Sequence, residues 1–161
     1  MRIVKFRVYQ LVAAGLVVGV AGLAFAAGRS ASAAADRTAQ GQACLGSATA
    51  AAQAIFSYDY RSFDASVANG RGFTTGDFAG EYEKTTAGLK PVAVQQQAIV
   101  RAEVSAAGVI DVAPGRVELL LYVNQYRRNT AITGEKVDQN RVVLTMVPDG
   151  SSCKVIKAEA I

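Results

Sequence analysis

The sequence predicts an α+β protein: an N-terminal transmembrane helix, then a domain of three helices packed on a curved four-stranded antiparallel sheet. Three observations predict it. Leu11 to Ala27 contains no charged residue; residues 44–91 carry apolar positions at helical spacing; and from residue 97 the apolar period changes to two. Helices followed by a run of strands with turn residues between them imply a helix layer on one face of an antiparallel sheet.

Val8, Tyr9 and Gln10 extend the apolar stretch to about twenty residues, the length that crosses a bilayer core as a helix. Lipid offers the backbone no partner, so a helix is the state that satisfies every amide. The transmembrane segment is read as Leu11 to Ala27, and Gly15 and Gly19, four apart, would let a second helix approach closely. Arg2, Lys5 and Arg7 precede it. By the positive-inside rule the N-terminus stays in the cytoplasm and the bulk of the chain lies outside the plasma membrane. The competing reading is a cleaved signal peptide ending near Ala31-Ser32-Ala33. The length of the apolar run, and Arg29 between it and that site, favour an uncleaved single-pass anchor. The expected division is 1–28 for tail and anchor, 29–43 for a helical linker and 44–161 for an extracytoplasmic domain.

The 161 residues carry a formal charge of +4, and Arg2, Lys5 and Arg7 supply three of those charges. The rest is close to neutral, without a basic stripe interleaved with aromatics, so nucleic acid is not an expected partner. The chain has two cysteines, Cys44 and Cys153. Outside the membrane they are free to form a disulfide; two small buried thiols is the alternative.

Taken in order, Leu45, Ala48, Ala52 and Ile55 recur at helical spacing and predict a first, alanine-rich helix that docks through its C-terminal half. Asp59 caps a short helix over 61–69 in which Phe63 and Val67 share a face, with Asn69-Gly70 ending it. Thr74-Thr75-Gly76-Asp77 starts a third helix with Phe78, Tyr82, Thr85 and Leu89 along one side; Gly88 and Pro91 are expected to break or bend it. Even-numbered residues from Ala98 to Val112 then predict a long strand with a bulge at Gly108. Pro114-Gly115 is a turn. Val117, Leu119, Leu121 and Val123 mark the second strand over 116–127. A third covers 137–147, Asp149-Gly150 turns the chain, and 151–158 is the last strand.

Chemistry is sparse. The chain has no histidine, so the commonest general base and metal ligand is missing. There is no zinc spacing, phosphate loop or nucleophile elbow. Asp59 and Asp64 are the one close carboxylate pair beside aromatics, and a helix cap plus a solvated acid accounts for them. Tyr58, Tyr60, Phe63, Phe78 and Tyr82 are candidate pocket lining, with an ordinary core as the plainer account. Tyr122, Tyr126, Arg127 and Arg128 at the end of the second strand are candidate partner contacts. No catalytic residue, cofactor or metal is expected.

Several short motifs, in order, carry a resemblance: Tyr58-Asp59-Tyr60-Arg61 with Asp64-Ala65; Thr75-Gly76-Asp77-Phe78 with Tyr82; Lys84-Thr85-Thr86 through Leu89-Lys90-Pro91; Val137-Asp138-Gln139 with Arg141; and Asp149-Gly150. Together they resemble the Mce-associated membrane proteins of actinobacteria. The resemblance implies a cone-shaped domain of the nuclear-transport-factor and SnoaL-like kind. It also implies a non-enzymatic accessory role in Mce complexes that import lipids or sterols. The expected partners are Mce proteins or other membrane-protein subunits, and the membrane through the N-terminal helix, with lipid as a candidate ligand. Ser152-Cys153 departs from the family, which often has an aromatic there; this favours a special role for Cys153 as the bridge to Cys44. The alternatives are a lipid or small-apolar-ligand carrier, a type IV secretion assembly factor of similar layout, and a SnoaL-like enzyme using Asp59 or Asp64.

Overall fold

A computed structural model of the chain describes residues 32–161. The tail and the transmembrane segment expected at Leu11–Ala27 lie outside the described residues. Among the described residues, no helix is long and apolar enough to cross a membrane. Residues 32–38 are helical. Ala39–Ile161 form one compact unit.

That unit opens with helix α1, residues 39–56. Its buried face is Gly41, Cys44, Ala48, Ala51, Ala52 and Ile55, a helical stripe of mostly small side chains. Small side chains bring the helix axis close to the sheet: a β-carbon added at Gly41 would already touch a Val112 methyl at 3.4 Å. A disulfide joins Cys44 to Cys153 on the last strand, with the two Cα atoms 5.1 Å apart.

The chain then forms strand β1 (Tyr58–Asp59), a short 3-10 helix (Tyr60–Ser62), α2 (Phe63–Arg71) and α3 (Gly76–Gln95). Asp59 caps the 3-10 turn by accepting from the Arg61 N–H at 2.9 Å. Asn69 and Gly70 lie inside α2, which ends where the Gly72 N–H donates back to Ala68 and Asn69. Pro91 does not break α3; the helix runs through it. Proline removes one donor, and Pro91 sits on the exposed side of the helix, where water can satisfy the freed carbonyl. The stop comes later, at Gln97 with φ +51°, a left-handed residue at the helix end.

Four long strands follow: β2 (Ile99–Ala113), β3 (Arg116–Arg128), β4 (Lys136–Asp149) and β5 (Ser152–Ala160). All pairs are antiparallel, in the order β1-β2-β3-β4-β5. The four-stranded expectation is thus corrected to five. The extra strand is two residues long, Tyr58 opposite Val100 and Asp59 opposite Ile99, and two residues show no period in a sequence. The bulge expected at Gly108 is also displaced: register shifts fall at Ser105 and Ile110. Each shift reverses which side chains face inward, so the inner set of β2 passes from Val100, Ala102 and Val104 to Ala107 and Val109, then to Val112.

The core lies between α1 and the inner sheet face. Val117, Leu119, Leu121, Leu144, Met146 and Val155 are fully buried there. A smaller cluster joins Phe63 to Ala93 and Ala98, with Tyr58, Val67 and Leu89 packed around it. The outer face of the sheet meets no described helix, as an antiparallel sheet allows when that face is polar enough for water.

Candidate functional site

Two surfaces stand out. The first is a cavity of about 310 Å³ between α3 and the inner sheet face. Helical spacing puts Phe78, Tyr82, Thr85 and Leu89 on one side of α3, and all four line it. Tyr58 and Phe63 line it from β1 and α2, with their rings tilted at a centroid distance of 5.4 Å. Ala158 contributes from β5. Of the five aromatics singled out in the sequence, Tyr58, Phe63, Phe78 and Tyr82 converge here. Tyr60 does not; it turns to a separate shallow pocket beside Gln97 and Arg128, because the 3-10 turn rotates it away from its neighbours.

No charged side chain lines the cavity. Burial pushes the Tyr82 and Tyr58 hydroxyls above their ordinary pKa, with Arg127 partly offsetting the effect at Tyr58. The one amide is Gln125 of β3. Its Oε1 accepts from Asn140 Nδ2 at 2.9 Å, and its Nε2 donates to the Phe56 carbonyl at 3.5 Å. Gln125 is not among the site candidates named from the sequence, although it is the polar residue that ends the inward series Val117, Leu119, Leu121, Val123.

The second surface is the outer sheet face, which divides the candidate partner residues. Tyr122 (47% exposed), Tyr126 and Arg128 share that face. Strand alternation sends Arg127 to the inner face, where it pairs with Asp138. Tyr126 carries the Arg101 guanidinium 4.3 Å above its ring centroid, a cation–π contact, and Arg128 pairs with Glu135.

The two acids do not form a working pair. Asp59 is held by Arg61, whose Nε donates to it at 2.9 Å, and this bond keeps its carboxyl below the usual range. Asp64 is bound by Lys90 Nζ at 2.7 and 2.8 Å on the surface. A general acid needs a raised pKa in a cleft, whereas the pKa of the Asp59 carboxyl is lowered and Asp64 is engaged by a lysine on the surface. Among the described residues no group of three or more acids and cysteines is placed to hold a metal.

No protein-family model matches the sequence, and no curated protein matches it. The fold does have solved counterparts, among them proteins of bacterial type IV secretion systems. An IcmL-like type IV secretion system protein from Legionella pneumophila is 16% identical, with a TM-score of 0.60, over 71% of this chain and 86% of that one. CagV, a VirB8 homolog from the type IV secretion system of Helicobacter pylori, is 11% identical, with a TM-score of 0.59, over 72% and 94%. The periplasmic domain of DotI is 17% identical, with a TM-score of 0.57, over 73% and 91%. At these identities the likeness is one of fold. It overturns the resemblance to Mce-associated and SnoaL-like proteins, and with it the accessory role in lipid import, the Mce partners and the actinobacterial assignment. The quoted motifs are two to four residues each and fall on β1 and the Asp59 cap, the start and interior of α3, the start of β4 and the Asp149-Gly150 turn.

Proposed function

We propose that this chain is a non-enzymatic assembly subunit of a type IV secretion-like machine in the cell envelope. Its compact unit lies on the extracytoplasmic side of the plasma membrane, held there by the apolar N-terminal segment. One observation carries the reading: the unit matches nearly whole domains of three secretion-system proteins. Fold alone does not give function, and two features of the site add support. The acids that might do chemistry are tied up in surface ion pairs. The Cys44–Cys153 bridge suits an oxidising compartment.

A subunit that holds an assembly together leaves its neighbours unstable when it is missing. Quantitative proteomics of membranes from cells lacking the chain should show a defined set of membrane subunits falling in abundance, restored when the chain is supplied again. If every membrane protein keeps its level, the assembly role is wrong.

A further inference from the structure

β5 is the last strand of the sheet, and its outer edge is met at Cys153, whose N–H donates to Ser47 Oγ at 3.3 Å, and at Val155. There the Val155 N–H donates to Phe73 O at 2.8 Å, and Val155 O accepts from the Thr75 N–H at 2.9 Å. In an antiparallel strand the backbone groups of successive residues alternate between the two neighbours. Val155 lies opposite Met146 and turns its groups outward. Leu144 and Val142, two and four residues along β4, hold the same phase as Met146, and Ala158 and Ala160 lie opposite them. The Ile161 N–H donating to Arg141 O fits that phase, since it puts the odd-numbered β4 residues toward β5. Ala158 and Ala160 therefore present N–H and C=O to the open edge, and among the described residues nothing pairs with them.

The Ala158 side chain lines the 310 Å³ cavity, so an open edge and an apolar cavity adjoin at one residue. Across the gap, Thr85 and Leu89 of α3 line the same cavity. Val92, three residues beyond Leu89 on that helix face, is 47% exposed. β5 has one bulge of its own, at Ile156, and Ala158 and Ala160 lie on the regular stretch beyond it; β2 is interrupted by two bulges beyond Val100, a device that discourages strand addition.

We propose that the β5 edge and this cavity form one docking site for an extended segment of a partner subunit. The segment's main chain pairs with Ala158 and Ala160 as a sixth strand, and one or two large uncharged apolar side chains enter the cavity. Main-chain bonds of this kind give affinity and the side-chain pocket gives selectivity. The chemistry follows from the lining. With no charged wall, a charged side chain would be buried unpaired. The volume holds about ten groups the size of a water at ~30 Å³ each, room for a Phe or Leu and a neighbour. Lys157 and Glu159 pair with each other at 2.8 Å on the outer face, so the edge adds no net charge against a neutral strand. This site rests on the assembly reading above.

The test uses the full chain in the membranes of the cells that make it, with the photo-crosslinking residue benzoylphenylalanine at Thr85 or, for comparison, at Tyr122 on the outer face. The Thr85 probe is expected to capture a partner peptide with the adduct on a Leu, Ile, Met or Phe. Capture should fall about tenfold in Ala158→Pro, which removes an outward N–H, while the melting temperature is retained. If that variant does not fold, Ala158→Leu, which fills the cavity and keeps the backbone, should give the same loss. Capture at Thr85 that neither variant lowers overturns the proposal. So does capture at Tyr122 but not at Thr85, which leaves the assembly reading standing. Capture at neither position overturns both.

Discussion

Gly70 of α2 lies against the Tyr82 hydroxyl of α3. A β-carbon at Gly70 would sit 2.9 Å from the Ala54 carbonyl oxygen of α1, and closer still to the Tyr82 oxygen. Three helices thus meet at one residue that has no side chain. Gly70→Ala should lower stability by about 1–3 kcal/mol, the usual cost of overpacking, read as a drop in denaturant midpoint. Adding Tyr82→Phe should return part of the loss, because the hydroxyl clash goes while the contacts with the Ala54 oxygen and the ring Cζ, each at 2.9 Å, stay. Independent, additive losses would show that the two sites are not in contact.

The disulfide carries much of the attachment of α1. The docking face of that helix is mainly alanine, and each buried methyl contributes only about 0.8 kcal/mol. The bridge spans 109 residues of sequence, and replacing both cysteines by alanine should cost about 2–5 kcal/mol. Amides of the Gly41–Ala48 turns should gain most in hydrogen exchange, since the bridge pins that half of the helix. An unchanged midpoint with equal exchange in all helices would show that packing alone holds α1.

Alkaline pH should weaken the fold through Tyr82. Burial raises its pKa above the ordinary 10.0, so the folded state keeps the proton longer than the unfolded chain. Its contribution is intact below that value and is lost as pH rises from there through the raised folded value. The slope of stability against pH in this window should flatten in Tyr82→Phe. An unaltered slope would assign the alkaline loss to another group.

Pro91 sits inside α3, where it removes one helical hydrogen bond. Pro91→Ala should stabilise the protein by about 1 kcal/mol in thermal unfolding. That is less than the ~3 kcal/mol helix-propensity difference, since the unfolded chain also gains freedom. Destabilisation would mean that the proline shapes the α3 axis for packing on Ala93 and Phe63.

How much was legible depended on whether a residue's role is local. The series Val117, Leu119, Leu121, Val123 reports β3 because alternation is written into one stretch, and Asp149-Gly150 reports its turn for the same reason. β1 was invisible because its two residues are strand only by virtue of Ile99 and Val100. The even-number rule for β2 failed after Val104 because a bulge at Ser105 depends on what β3 offers opposite, not on a glycine nearby. Tyr126 and Arg127 looked like one patch in sequence and face opposite sides of the sheet. The cavity aromatics were nameable, yet Gln125 and Ala158, which give the cavity its polar end and its open edge, acquire meaning only through strand pairing.

Native mass spectrometry of the full chain, extracted from membranes in a mild detergent, tests the proposed assembly role most directly. The account predicts a mass that contains the chain together with other membrane-protein subunits in fixed proportion. A chain that emerges alone, under each of several gentle extraction conditions, would contradict it.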